Sequence, residues 1–130
     1  MQPSKNHWMI LLAIFNFLEN RSVNISHDET VKMSEFMPGV KNRFVHSDTM
    51  TLAEWLFEMN VDLPEHSHSN EQITKVISGE FLFKVDGKDV LLSAGSSMII
   101  PANVVHSGKA VTESHIIDVF HPVREDFKAK

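Results

Sequence analysis

The chain has 130 residues, of which 42% are hydrophobic and 22% charged, values typical of one globular domain with a single core. Its formal net charge of −5 provides no basic surface, so we expect no nucleic-acid partner. Cysteine is absent, which excludes disulfides and thiolate ligands, so any transition metal must be bound through nitrogen and oxygen atoms.

Residues 1–22 form an apolar N-terminal segment, which we predict to be a short helix or an extension. The run from Trp8 to Leu18 is apolar on every helical face but shorter than the roughly 20 residues that span a bilayer, so we expect no membrane partner. We expect the apolar surface of such a segment to be buried against the barrel or against a second subunit. A signal peptide is the alternative, but Glu19 to Val23 lacks a small-x-small cleavage pattern, which favours a cytoplasmic location.

From residue 23 onward, short runs of β-branched and aromatic residues alternate with turn residues, which predicts one antiparallel all-β domain over residues 23–130. Asp86-Gly87 predicts a two-residue hairpin turn, because both residue types tolerate positive φ. A bend is predicted over residues 60–64, and a charged tail after residue 120. The predicted strands cover residues 43–45, 49–59, 72–77, 80–85, 89–92, 98–100 and 114–120.

Two histidines that follow the predicted bend point to a metal site. Alternate side chains of a strand share a face and lie about 6.6 to 6.8 Å apart, so His66 and His68 are predicted to point into one cavity. Gln72 keeps the same parity if the chain stays extended, and a later strand that carries His106 could close a third side. Three imidazoles and one amide oxygen can bind one divalent ion, which predicts a mononuclear metal centre inside a β-barrel.

A lone H-x-H pair also fits a surface loop, so the surrounding residues decide its weight. Residues 60–110 resemble the two motifs of the cupin superfamily, which are small β-barrels of the jelly-roll type. The motif G-x5-H-x-H-x3-E-x6-G is met by His66, His68 and Gly79, with Asn60 for Gly and Gln72 for Glu. The motif G-x5-P-x-G-x2-H-x3-N is met by Gly95, Pro101 and His106, with Asn103 for Gly and Ala110 for Asn. The resemblance implies a single-domain cupin jelly-roll barrel.

Gln72 alters the charge expected at the metal, whose identity is left open among Zn, Ni, Mn and Fe. Neutral imidazoles and a neutral amide leave the full charge of a dication, which makes a stronger Lewis acid than a site with a carboxylate. The set suits oxygen chemistry on iron less well, because the facial triad uses two histidines and one carboxylate. Glu71 has the opposite parity and is predicted to lie outside the ligand set.

The run from Asp118 to Phe127, together with Glu71-Gln72, resembles one branch of small cupins, the pectin degradation protein type. That resemblance implies that three histidines and a glutamine bind the metal, and that Asp118, Phe120 and Arg124 act on a sugar. Proteins of this type convert 4,5-unsaturated uronates into linear ketonised forms. Each of the three residues also has an ordinary alternative role: a strand hydrogen bond for Asp118, the core for Phe120, and a solvated tail for Arg124.

The sequence therefore predicts a metal-dependent isomerase that takes a small carboxylated sugar as substrate. Two alternatives stay open: another metal-dependent cupin enzyme, such as a polyketide cyclase or an oxygenase, and a barrel that binds a small molecule without catalysis. Apolar strand edges and the likeness to small cupins predict a homodimer. Of the other histidines, we expect His7, His27 and His46 to be exposed, and His115 and His121 to lie outside the cavity.

Overall fold

The computed structural model describes residues 23–128, which form ten strands and one short helix. In chain order these are β1 (Ser34–Met37), β2 (Val40–His46), β3 (Thr51–Phe57), β4 (Asp62–His66), β5 (Glu71–Ser78), β6 (Glu80–Val85), β7 (Lys88–Ser93), β8 (Ser97–Ile100), β9 (His106–Ala110), β10 (Ser114–His121) and α1 (Glu125–Lys128).

The strands form two antiparallel sheets around one core. The larger sheet has the order β1-β2-β3-β10-β5-β8, and the smaller has the order β4-β9-β6-β7. Apolar side chains from both sheets meet between them; the rings of Phe57 on β3 and Phe81 on β6, for example, lie 4.9 Å apart. This arrangement is the all-β jelly-roll barrel that the sequence predicts.

Alternation along the strands explains which residues reach the core. In β3 the odd-numbered residues are buried, and in β10 the even-numbered ones are. The register pairs Trp55 with Ile116 and Ala53 with Asp118, so side chains that point inward on one strand meet inward neighbours on the next. All seven predicted strands are present, with bounds that differ by a few residues.

The strand expected to carry His106 is β9, for which no bounds were predicted. Three further elements lie outside the predicted strands: β1, β4 and α1. β4 replaces most of the predicted bend over residues 60–64, although it contains Pro64. It pairs only with β9, at the edge of the smaller sheet, and the register shifts between Leu63 and His66, so Pro64 removes no ladder hydrogen bond there. The predicted charged tail likewise contains α1, which buries Phe127.

Two asparagines occupy positions where the cupin motifs have glycine, and both have a left-handed backbone. The φ angle is 69° at Asn60 and 67° at Asn103, a region that asparagine tolerates better than other non-glycine residues. The turn between β6 and β7 has positive φ at Asp86 and Gly87, as the hairpin prediction requires.

The predicted N-terminal helix falls on residues 1–22, which lie outside the described part of the chain. Within residues 23–128, no helix is long and apolar enough to cross a membrane.

Candidate metal centre

Three histidines from two strands and a loop converge at one end of the barrel. His66 ends β4, His106 begins β9, and His68 lies in the loop before β5. One potential ligand atom from each lies within 4.8 Å of the other two. The ring centroids of His66 and His106 are 4.1 Å apart, and those of His68 and His106 are 5.1 Å apart. The three side chains form a group that can hold a metal ion.

Shared strand parity from His66 to Gln72 requires an extended chain, and this condition is not met, because the chain leaves the strand after His66. Two hydrogen bonds hold the loop instead. The backbone N–H of Asn103 donates to the carbonyl oxygen of His68 at 2.8 Å, and the side chain of Asn70 donates to the carbonyl oxygen of Pro122. His68 therefore reaches the other histidines through a tethered loop rather than through strand parity.

The hydrogen bonds of the imidazoles orient their free nitrogens. Each Nδ1 atom faces a backbone carbonyl oxygen: His66 that of Pro64 at 2.7 Å, His68 that of Asn70 at 3.0 Å, and His106 that of Val104 at 2.8 Å. A carbonyl oxygen only accepts, so each Nδ1 carries the proton and each Nε2 keeps its lone pair. A backbone carbonyl behind the ring is the usual support for a metal-binding histidine.

The electrostatics of the group also fit a cation. Burial lowers the pKa of His106 to about 4 and also lowers the pKa of His68, so both are neutral at pH 7, the form that binds metal. The Nε2 atom of His106 is buried without a hydrogen-bond partner. A buried acceptor without a partner costs free energy, on the order of 1 to 3 kcal/mol, which a metal bond would remove.

Gln72 lies beside the histidines at the start of β5. It is 4% exposed, and its Oε1 atom is 3.1 Å from Nε2 of His68. With the His68 proton on Nδ1, two lone pairs face each other at this distance, and a cation shared between them would make the contact favourable. Glu71 is exposed and points away from the group, as predicted.

Asp118 is buried on β10, opposite Thr74 of β5. The Thr74 hydroxyl donates to Oδ1 of Asp118 at 2.6 Å. Burial raises the pKa of Asp118 from 3.8 to about 6, and the Thr74 hydrogen bond opposes part of this rise. The Trp55 indole N–H also favours the ionised carboxyl, although it is buried without a hydrogen bond of good geometry.

Arg124 follows β10 and is 9% exposed, so the solvated-tail alternative is wrong for it. Asp126 accepts two hydrogen bonds from the guanidinium, at 3.0 Å to Nε and 2.8 Å to Nη2, and these lower the pKa of Asp126. The Arg124 guanidinium also lies 3.8 Å from the ring centroid of Phe127 and 4.8 Å from that of Phe120. Ion pairing and stacking together fix its position.

Phe120 is 2% exposed, and its ring centroid lies 5.4 Å from that of His68. It therefore serves the core and also forms a wall between the histidines and Arg124. A cavity of about 360 Å³ lies within this arrangement. Its lining includes all the predicted site residues except His68, namely His66, Gln72, His106, Asp118, Phe120 and Arg124.

Two residues near the site were missed by the sequence analysis: Thr74 and Asp126. The available signals were weak, because a threonine on an alternating strand is ordinary, and an acid two residues after an arginine fits an exposed tail. For Trp55, the sequence pattern favours a core or subunit contact over stacking on a sugar.

The other histidines within residues 23–128 lie away from the cavity. His27 and His121 are exposed, and His115 contacts Glu54 at 3.5 Å. His46, expected to be exposed, is half-buried, because its Nδ1 atom hydrogen-bonds the Thr51 hydroxyl at 2.8 Å. His7 lies outside the described residues.

The fold and the site define a class: jelly-roll barrels with a three-histidine group able to hold a metal. The sequence profile of the cupin domain matches residues 54–120, just over half of the chain. The chain belongs to the cupin family. No curated relative matches it at a significant level.

Solved structures agree with this assignment. An RmlC-like cupin from Shewanella frigidimarina is 30% identical, with a TM-score of 0.76, over 82% of this chain and 96% of that one. KdgF from Halomonas sp. is 23% identical, with a TM-score of 0.77, over 82% of this chain and 99% of that one. Ectoine synthase from P. lautus is 14% identical, with a TM-score of 0.71, over 82% and 83% of the two chains. At such identities, the last two show similarity of fold alone.

Proposed function

We propose that this cupin is a metal-dependent isomerase that opens the ring of a 4,5-unsaturated uronate, or of a similar small acidic sugar, and yields the ketonised linear form. The observation that carries the proposal is the lining of a single cavity. It contains imidazole nitrogens of His66 and His106 that can bind a metal, the buried carboxyl of Asp118 and the guanidinium of Arg124. These groups can respectively polarise an oxygen, move a proton and bind a carboxylate.

The ligand set in this proposal is His66, His68, His106 and Gln72, which would hold one divalent transition ion such as Zn, Ni, Mn or Fe. When bound, the ion supplies positive charge that polarises a substrate oxygen or lowers the pKa of a water molecule.

Arg124 would bind the substrate carboxylate. Asp126 occupies its Nε and one side of Nη2, which leaves Nη1 free to donate to an anion. The rings of Phe120 and Phe127 hold the guanidinium plane in place, so little conformational freedom remains to be lost on binding. The substrate's ring would then lie along the Phe120 wall, between Arg124 and the histidines.

Asp118 would transfer the proton. Its carboxylate takes the proton of the C1 hydroxyl, and the electrons of that O–H bond form the C1 carbonyl as the bond from C1 to the ring oxygen breaks. Because the ring oxygen is attached to the C4–C5 double bond, it leaves as an enolate. Asp118 then returns the proton to C4, which gives the C5 ketone. The proton is taken and returned, so the reaction is an isomerisation that needs no other reactant.

The test combines elemental analysis of the purified protein with the loss of ultraviolet absorbance of an unsaturated uronate on addition of protein. We expect about one metal ion per chain and steady loss of absorbance. Asp118→Asn should lower turnover by about a thousandfold while the metal content is kept. The matched control is Asp89→Asn, at an exposed position on β7, which should leave turnover unchanged.

Other outcomes would select the alternatives. Oxygen consumption by an iron-loaded protein would indicate an oxygenase. A metal-loaded protein that binds small acids but leaves the uronate unchanged would indicate a barrel without catalysis. Turnover that survives Asp118→Asn would remove Asp118 from the mechanism.

We also propose that the protein forms a homodimer through the outer face of the larger sheet. One residue from each of five neighbouring strands forms an apolar row across this face: Val45, Leu52, Val119, Ile73 and Ile99. Four of the five are 41–66% exposed. The same face also carries the Arg43–Glu54 ion pair and Lys75, so it has charges of both signs and suits a second copy of itself.

A further inference from the structure

We propose that Thr74 is a positioning residue that fixes the amide of Gln72 with its oxygen toward the three histidines and links that amide to Asp118. The proposal rests on the proposed metal centre, but it does not depend on which substrate the enzyme uses. It also gives a physical reason for glutamine at a position where the cupin motif has glutamate.

The three residues form a continuous hydrogen-bonded chain inside the barrel. Gln72 and Thr74 point inward from β5, and Asp118 faces Thr74 from β10. Nε2 of Gln72 donates to the Thr74 hydroxyl oxygen at 2.8 Å, and that hydroxyl donates to Oδ1 of Asp118 at 2.6 Å. Thr74 is 0% exposed, so water does not compete for its hydroxyl.

The direction of this chain follows from counting hydrogens. A threonine hydroxyl has one hydrogen, and here it goes to Asp118. The Thr74 oxygen can then only accept, so residue 72 must be the donor. An amide meets this requirement with its nitrogen, and its oxygen then faces the opposite way, toward His68. Thr74 therefore selects the amide orientation that presents oxygen to the metal.

A carboxylate at residue 72 would break the chain, because it has no hydrogen to donate. It would compete with Asp118 for the single hydroxyl hydrogen, and two buried acceptors would share one donor. Residues 72 and 118 are thus coupled through Thr74, in addition to the direct hydrogen-bonding contribution by which Gln72 lowers the pKa of Asp118. If Gln72→Glu is combined with Asp118→Asn, the same three groups can bond in the reverse direction, since the new amide donates to Thr74 and Thr74 donates to the new carboxylate.

The first test measures metal affinity, with Zn²⁺ and a competing chelator and without any substrate. Thr74→Val removes the hydroxyl and keeps the shape, and we expect it to weaken Zn²⁺ binding by about tenfold. Thr74→Ser keeps the hydroxyl and should bind like the parent protein. The matched control, Thr49→Val at an exposed position, should have no effect.

Two results would overturn the proposal at this stage: unchanged Zn²⁺ affinity in Thr74→Val, or equal losses in the serine and valine variants. Because neither readout involves a uronate, an enzyme that fails to open that sugar leaves this test intact. Conversely, a normal Zn²⁺ affinity in Thr74→Val would refute the positioning role of Thr74 without contradicting the proposed reaction.

The second test is a double-mutant cycle on metal-free protein, followed by thermal unfolding at pH 8. Gln72→Glu alone should lower the unfolding midpoint by about 5 °C or more, and the loss should be at least halved when Asp118→Asn is also present. The interaction between residues 72 and 118 could arise through the Thr74 hydroxyl or from direct repulsion between two carboxylates. Repeating the cycle in the Thr74→Val background distinguishes these two causes. In that background we expect a smaller interaction between the substitutions at residues 72 and 118, and an unchanged interaction would overturn the proposal.

Discussion

Each face of the larger sheet departs locally from the usual distribution of residues in a β-barrel. Toward the interior, β5 and β10 present Gln72, Thr74 and Asp118, all buried. Toward the outside, the intervening positions of the same strands include Ile73, which is 46% exposed. Burying polar groups is costly unless they are hydrogen-bonded, and exposing a row of apolar side chains is unusual for a monomer. The inner face thus fits the proposed chemistry, and the outer face fits the proposed dimer contact.

The faces also differ in how their residues depend on one another. The inner polar residues form one connected network, so a change at one position is felt at the next. The outer apolar residues are neighbours in register without hydrogen bonds between their side chains, so any coupling among them comes from packing alone. Substitutions on the inner face should therefore change metal binding or turnover, whereas those on the outer face should change association.

The largest effect is expected inside the barrel at His106, which lines the same cavity as the inner polar residues but comes from β9 of the smaller sheet. His106→Ala removes one of three converging nitrogens, and we expect metal affinity to fall by more than about a hundredfold, with loss of turnover. Elemental analysis and chelator competition would measure it. His121→Ala, at an exposed position on the same barrel, is the control and should bind metal normally. Full metal content in His106→Ala would contradict the proposed ligand set.

The second prediction concerns pH and the stability of the metal-free protein. Because the folded pKa of Asp118 is raised to about 6, the folded state holds the proton more tightly than the unfolded state. Stability is thus unaffected below the unfolded pKa and falls as pH rises through about 6. Asp118→Asn removes this penalty, so at pH 8 it should be more stable by about 3 kcal/mol.

Denaturant unfolding at several pH values would check this prediction on chelator-treated protein, because a bound cation would itself favour the ionised carboxyl. The advantage of Asp118→Asn should shrink toward pH 4. An advantage that is constant with pH would show that the ionisation of Asp118 is not its cause.

A smaller effect is expected at Arg124, the residue proposed to bind the substrate carboxylate. Arg124→Lys keeps the charge but loses the two hydrogen bonds to Asp126 and the planar stacking on Phe127. We expect KM for the acidic sugar to rise by about tenfold, with metal content unchanged. Arg43→Lys, on the outer face, is the control. An unaltered KM in Arg124→Lys would argue against carboxylate binding by this side chain.

The smallest expected change in activity belongs to the outer face. Ile99→Glu places a charge in the apolar row and should weaken the proposed dimer by about tenfold or more, while turnover per chain is unchanged. Light scattering coupled to size exclusion would show the shift toward the 14.8 kDa monomer. Ile25→Glu, which is exposed away from the sheets, is the control. A parent protein that is already monomeric would refute the dimer.

Much of the fold and the outline of the site could be predicted, because alternating strands, turn residues and the spacing of His66, His68 and His106 are local features of sequence. Other features depend on contacts between distant segments. The predicted bend over residues 60–64 is mostly strand β4, and its place at a sheet edge is what permits pairing around Pro64. Thr74 acquires its role from Asp118, which is 44 residues away along the chain.

The burial of Arg124 could not be predicted for the same reason. Its partners are Asp126, two residues away, and the rings of Phe120 and Phe127, which face it only after α1 folds back over the barrel. In the sequence alone, a basic residue followed by two acids is typical of a solvated end. Tertiary packing decides between these environments.

The hydrogen bond from Asn70 to the Pro122 carbonyl links the loop that contains His68 to the segment that carries Arg124. Under thermodynamic reciprocity, any gain in metal affinity caused by an anion at Arg124 must equal the gain in anion affinity caused by the metal. The tether is a physical route for such coupling, and titrations of metal and of sugar acid, each at a fixed concentration of the other, would measure it.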